Sequence, residues 1–334
     1  MAHEIRSNDQ VVLARTSAWH GLGVVVADQF SPAEALRLGK LDWTVEESTA
    51  LTATFVEVDG GATRNVVETH KTLRRSDDKS VLATVGAGYT VVQNSTLADI
   101  AAAFNSTGQV KCETAGSLFG GCKVWFLLAG ETVDVGKRGD LVNRYVMLHN
   151  AHDGTASLGG DIVTERVVCN NTYMGALAES ARKGGSFFRF RHTKGVSIRI
   201  EDAKDALKAY SAQAARDDSA MQALASKRLT MAEIQSLWTE VLIAMDGPIA
   251  LNPKSEQEST RRAKAIEEYA EMSRVFDSES RLFGATAWVA ANAATHLIQH
   301  SRGRLKGDAR VSADLFGSYA DDKRIVMRAA LATI

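Results

Sequence analysis

The periodicity of the chain changes near residue 200, and this change limits the folds open to it more than any other feature. Before that point, apolar residues come in short runs rich in β-branched and aromatic side chains: LTATFVEV from Leu51, KVWFLLAG from Lys123 and RYVMLHN from Arg144. Turn-forming groups at Gly60–Gly61, Asp77–Lys79, Gly120–Gly121 and Gly159–Gly160 punctuate these runs at hairpin-like spacing, which predicts an antiparallel sheet.

Helices interrupt the sheet at few points. Ser31-Pro32-Ala33-Glu34 combines a capping serine, a proline at the first helical position and a glutamate at the third, so a short helix should follow. A second helix is expected over TLADIAAAFN after Ser95, and a third over NTYMGALAESARK from near Asn171.

Past residue 200 the pattern is helical. Ala206, Leu207, Tyr210 and Ala214 keep one face, and Thr230-Met231-Ala232-Glu233 is a capping box that opens a segment running through Met245. DGPIALNPKS, with Pro248 and Pro253, is the best linker candidate, and helices are expected over TRRAKAIEEYAEMSRVF, GATAWVAANAATHLIQH and the C-terminus.

The expected fold class is therefore α+β. An N-terminal antiparallel curved sheet with few packed helices would occupy residues 1–200, and a mostly helical part would occupy 201–334 and could pack on that core as one domain. There is no tandem repeat.

The 334 residues are 45% hydrophobic and 24% charged with only three prolines, the composition of a folded protein with a sizeable core. A formal net charge of -1 removes any bulk basic balance, so a polyanion partner would have to be read from local patches. Cys112, Cys122 and Cys169 are odd in number and form no CxxC pair, which points to a reducing compartment rather than a disulfide framework. With no apolar leader and no membrane-length run, the expectation is a cytoplasmic protein in a bacterial host cell, with no membrane partner.

One patch stands out. Arg182, Lys183, Arg189, Arg191, Lys194 and Arg199 fall in RKGGSFFRFRHTKGVSIR, which contains no Asp or Glu. Read as a hairpin turning at Thr193-Lys194-Gly195, period two places Phe187, Arg189, Arg191 and Arg199 on one face, with Phe188, Phe190, Val196, Ile198 and Ile200 on the other. Arginines on such a face can fork onto phosphates while an aromatic ring stacks on an unpaired base, which suits single-stranded DNA without sequence preference. The competing reading is a solvated strand whose phenylalanines are core and whose arginines pair with acids elsewhere.

A second cluster, Arg302, Arg304, Lys306 and Arg310 in SRGRLKGDAR, would add phosphate contacts on a glycine-rich loop, diluted by Asp308. A third, Lys71, Arg74 and Arg75, has Asp77 and Asp78 close enough to neutralise it.

His149, His152 and Asp153 are all metal-ligand types, and with His20 or His70 they offer an alternative, a metal-dependent hydrolase or nuclease. Against it, a strand end followed by an Asp-Gly turn explains the same residues, since histidines three apart in such a passage share no enforced face. Trp19-His20-Gly21 reads as a packed aromatic corner. Gly86-Ala87-Gly88 lacks the third glycine of a dinucleotide loop, and neither GxxxxGK[ST] nor GxSxG occurs. No cofactor is expected.

Several blocks together resemble the phage- and plasmid-related family known as domain of unknown function 932. They are Ala18–Gly23, Leu41–Val45, Gly88–Asn94, Glu113–Ser117, Asn150–Gly154, Arg166–Thr172, Arg191–Thr193 and Gly284–Ala293. The resemblance implies a mobile-genetic-element setting, beside recombination or anti-restriction genes, and no settled activity. The strand-rich block also looks like the sheet-and-helix core of phage single-strand annealing proteins, a fold-level analogy only. Such proteins hold an extended strand in a positive groove across a multimeric ring or filament, so the analogy implies a non-enzymatic homo-oligomer that binds single-stranded DNA. A counter-defence protein that binds a host enzyme is a further alternative.

Overall fold

The computed structural model describes residues 11–14, 24–48, 51–56, 58, 60–166, 171–174, 186–196, 207–303, 305, 309–310, 313–314 and 317–334. The chain divides into two compact units, both discontinuous in sequence: one comprises Met1–Gly130, Val146–Gly160 and Phe188–Lys208, the other Glu131–Tyr145, Asp161–Phe187 and Ala209–Ile334. The architecture is α+β.

In chain order the elements are β1 (Val11–Ala14), β2 (Val24–Val26), α1 (Pro32–Leu38), β3 (Val45–Glu47), β4 (Leu51–Val56), β5 (Ala62–Val67), β6 (His70–Arg75), β7 (Val81–Gly86), α2 (Asn94–Asn105), β8 (Lys111–Leu118), β9 (Lys123–Val135), β10 (Asp140–Ala151), β11 (Leu158–Arg166), β12 (Asn171–Met174) and β13 (Ser186–Phe190). Helices follow: α3 (Leu207–Ser226), α4 (Met231–Asp246), α5 (Glu256–Phe283), α6 (Ala287–His296) running into a π turn at Leu297–Ser301, and α7 (Ser318–Leu331). The largest sheet has the order β12-β11-β10-β9-β8-β1-β2, with β13 also on β11; β3-β6-β7 and β4-β5 form two smaller sheets. In the largest sheet β1 runs antiparallel to β8, β8 to β9 and β11 to β12, while β1 and β2 are parallel.

In the first unit, α1 begins with the expected capping box, in which Ser31 accepts from the Glu34 amide and Glu34 reaches back to the Ser31 amide at 2.8 Å. Strand β8 is buried almost continuously rather than alternately, because its small residues Thr114, Ala115, Gly116 and Ser117 allow close packing on both faces. Leu97, Ile100 and Phe104 of α2 lie fully inside this unit, as do Leu41 and Leu73.

In the second unit the core gathers around α6, whose residues Ala287–Thr295 are buried on every side. Small alanines let the neighbouring helices approach, and Trp238 of α4 donates its indole N–H to the Ala290 carbonyl at 2.9 Å. Helix α4 opens with the Thr230–Glu233 capping box that the sequence signals. Pro248 and Pro253 sit in the connection from α4 to α5, within this unit and not between units.

Two local expectations are corrected. Asn171–Met174, read as the start of a helix, is strand β12, paired antiparallel with β11 from Val163↔Met174 to Arg166↔Asn171; the rest of that segment, 175–185, lies outside the described residues. Gly159–Gly160 is not a turn but the interior of β11, where a Cβ on Gly159 would stand 2.7 Å from His149 Nε2. No described helix is long and apolar enough to cross a membrane.

Candidate nucleic-acid interface and its buried anchor

The basic strip begins on β13. Phe188 is buried, Phe190 is half-buried, and their rings lie 5.5 Å apart, as residues two apart on one face must. Arg189 and Arg191 are exposed on the opposite side. The chain then leaves the strand: the Thr193 amide donates to the Arg191 carbonyl at 2.8 Å and the Val196 amide to the Thr193 carbonyl at 2.9 Å, but Val196 is helical and not the start of the returning strand that a hairpin requires. Lys194 is exposed at this turn, and Val196 is buried beneath it. Arg182, Lys183 and Arg199, and the side chain of Phe187, lie outside the described residues, as do residues 197–200, where the hairpin reading places its returning strand.

Between Arg191 and Lys194 sits His192, buried and held by Thr90 at both its ring and its backbone carbonyl. Its Nδ1 lies 3.0 Å from the Thr90 carbonyl, and the Thr90 amide donates to the His192 carbonyl at 3.1 Å. A carbonyl can only accept, so Nδ1 carries the proton in the neutral ring. The imidazole stacks on Tyr89 with centroids 4.5 Å apart and planes 12° from parallel. Burial pushes its pKa below the ordinary value and outweighs the Thr90 carbonyl, which favours the charged form.

Tyr89 continues the chain of contacts inward. Its hydroxyl donates to the Ala151 carbonyl at 2.7 Å, next to His152. His152 is fully buried, with its Nε2 2.9 Å from Asn94 Oδ1. The Asn94 amide group donates to the Leu41 carbonyl at 2.9 Å and the Trp43 carbonyl at 3.4 Å, which leaves Oδ1 to accept from the imidazole. Desolvation drives the His152 pKa down to about 3, and nearby His192 pushes in the same direction.

Asn150 donates to the Val92 carbonyl at 3.0 Å, while Gln93 pairs with both backbone groups of Val45 at 2.8 and 3.1 Å. Trp43 meets the His152 ring edge-on at 5.6 Å. The buried polar atoms His152 Nδ1, His192 Nε2, Asn150 Oδ1 and Trp43 Nε1 have no hydrogen-bond partner among the described residues. This arrangement orients a turn.

The metal-ligand alternative fares differently at each residue. His149 and His152 are buried, but Asp153 is turned to local use, accepting from the Thr155 amide at 2.9 Å and hydroxyl at 2.6 Å. This is the strand end and Asp turn weighed above. Among the described residues, no three His, Cys, Asp or Glu side chains are grouped to hold a metal ion. His70 is exposed on β6, and His20 lies outside the described residues.

The second basic cluster is corrected at Arg302 and Arg310. Arg302 is a buried structural cation, not a phosphate contact on a loose arm: its Nε donates to Glu268 at 2.8 Å, and its other nitrogens pair with Asp246 and, at 3.6 Å, Asp322. Arg310 is likewise buried. It binds Asp314 at 2.8 Å and the carbonyls of Arg302 and Ile298 at 2.9 and 3.1 Å, and so satisfies backbone acceptors left open by the π turn. Arg304 and Lys306 lie outside the described residues.

In the third cluster, Arg75 makes a two-pronged bond to Asp77 at 2.9 and 2.6 Å and stands 4.6 Å over the Trp43 ring. Arg74 pairs with Glu46 and Lys71 with Glu47.

Sequence reasoning found the strip but missed what anchors it. Trp43, Tyr89, Asn94, Asn150, His152 and His192 come from four separate blocks of the family pattern and meet in the first unit. The available signal was that these four blocks of the resemblance each carry an aromatic ring, an imidazole or a carboxamide. Residues 81–324 match a family model described as Domain of unknown function (DUF932). No curated protein matches, and no solved structure does.

Proposed function

We propose that this chain, which belongs to the family of domain of unknown function 932, is a non-enzymatic binder of single-stranded DNA. The observation that carries the proposal is the segregation along β13 and its turn: Phe188, His192 and Val196 face inward, while Arg189, Arg191 and Lys194 face solvent. Three cations within six residues, on a backbone fixed by the Thr90–His192 pair, offer a preformed track for successive phosphates. Arg182, Lys183 and Arg199 would extend the track, and Phe187 would supply a stacking surface. Neutral, buried His152 and His192 serve as anchors in this reading. The mobile-element setting implied by the sequence resemblance agrees with a role in recombination or replication.

The test is equilibrium binding of a labelled oligonucleotide to the full chain. Replacing both Arg189 and Arg191 with alanine is expected to lower affinity at least about tenfold, alike for every sequence tried, since phosphate contacts carry no base information. Affinity unchanged by the double substitution would remove the proposal.

A further inference from the structure

We infer that strand β4 is a pairing edge through which two copies of this chain join, antiparallel, into a four-stranded sheet. Strands β4 and β5 pair over six residues, from Leu51↔Val67 to Val56↔Ala62, and among the described residues no third strand joins them. A two-stranded ribbon is marginal in water without further cover. This one nevertheless leaves Phe55 54%, Val56 80%, Val58 110% and Val66 63% exposed.

The β4 edge lacks the devices that keep edges apart. Its sequence Leu-Thr-Ala-Thr-Phe-Val has no lysine, no proline and no charge of either sign, and it is rich in residues that favour strands. Two of the six side chains, Leu51 and Ala53, are half-buried; the other four face solvent.

Charge selects the occupant. Pairing an uncharged strand with its own copy opposes no like charges in any register, and a two-fold axis makes the pairing antiparallel and closed at two chains. The β5 edge is less suited, because it carries Arg64 near its middle, where a two-fold would bring two arginines together. A polyanion or a strongly charged protein would find no counter-charge on β4. Six residues span about 20 Å, so the association is weak and concentration-dependent.

The experiment is sedimentation of the full chain without oligonucleotide over a wide concentration range, which keeps it independent of the DNA-binding proposal. Wild type is expected to move from the mass of one chain to that of two. Thr52→Lys with Thr54→Lys, and separately Thr52→Glu with Thr54→Glu, should each stay at one chain, and their equimolar mixture should pair again. That rescue also shows both variants to be folded. Wild type at one chain throughout, mass rising beyond two chains, charged variants that still pair alone, or a mixture that fails to pair would each overturn the inference.

Discussion

The most enclosed polar clusters of the two units differ in charge. In the first, the cluster around His152 is neutral: two imidazoles, two carboxamides, an indole and a phenol, with Tyr89, Asn94, Asn150 and His192 bonded to backbone carbonyls at 2.7–3.0 Å and His152 to Asn94 at 2.9 Å, while buried Arg75 pairs with Asp77. In the second, the cluster around Arg302 is ionic. Arg302, Arg310 and Lys323 lie inside with Glu268 and Asp314, and Lys323, whose side chain is 0% exposed, bonds Asp314 at 3.3 Å and Gln299. Neutral groups with orphaned nitrogens can orient a surface loop at modest cost. Enclosed ions must be matched one for one, and they specify the packing of the elements that carry them. The difference separates a neutral cluster beside the exposed Arg189, Arg191 and Lys194 from an ion-pair network that encloses Arg302, Arg310 and Lys323.

The largest effect should come from breaking an ion pair in the second unit. Arg302→Met removes the cation nearest Glu268 and Asp246 and leaves them with the half-exposed Lys264, and loss of one member of a buried pair costs about 3–5 kcal/mol. Urea unfolding measures it. A loss below about 1 kcal/mol would class the network with exposed pairs and erase the contrast between the units.

Per pH unit, a smaller effect follows from pH, with opposite signs for a buried group in each unit. The folded pKa of His152 is about 3 against an ordinary 6.5, so between those values the unfolded chain holds a proton that the folded chain refuses. Stability must therefore fall as pH drops below 6.5, by about 1.4 kcal/mol per pH unit from this group. Asp217 in the second unit is pushed up to about 7 from 3.8, chiefly by burial. Its unfolded form gives up the proton first, so its contribution falls as pH rises from 3.8 towards 7. In urea titrations across that range, His152→Gln should lose the acid-side slope and Asp217→Asn the opposite one. Identical pH profiles for both variants and wild type would contradict the assignment of either group as buried and neutral.

Much of the fold was legible because its signals are local. The capping boxes at Ser31 and Thr230 each need only four residues, and the alternation of Phe188, Arg189, Phe190 and Arg191 needs only period two. What failed was set by distant partners. Asn171–Met174 has the look of a helix start, yet pairing with β11 overrides that local preference. Arg302 sits in a stretch holding one acid, but its partners Glu268 and Asp246 are 34 and 56 residues away. The His192 anchor depends on Thr90, 102 residues back, so period two placed the exposed arginines correctly while saying nothing of the residue that fixes them.

The most direct test is the salt dependence of oligonucleotide binding. For single strands, each neutralised phosphate contributes about 0.7 to the slope of log affinity against log salt. Replacing Arg189, Arg191 and Lys194 together with alanine should reduce the slope by about 2 relative to wild type, with the far-ultraviolet circular dichroism unchanged. Slopes that coincide, or wild type that binds no oligonucleotide at low salt, would contradict the assignment of this turn as a phosphate track.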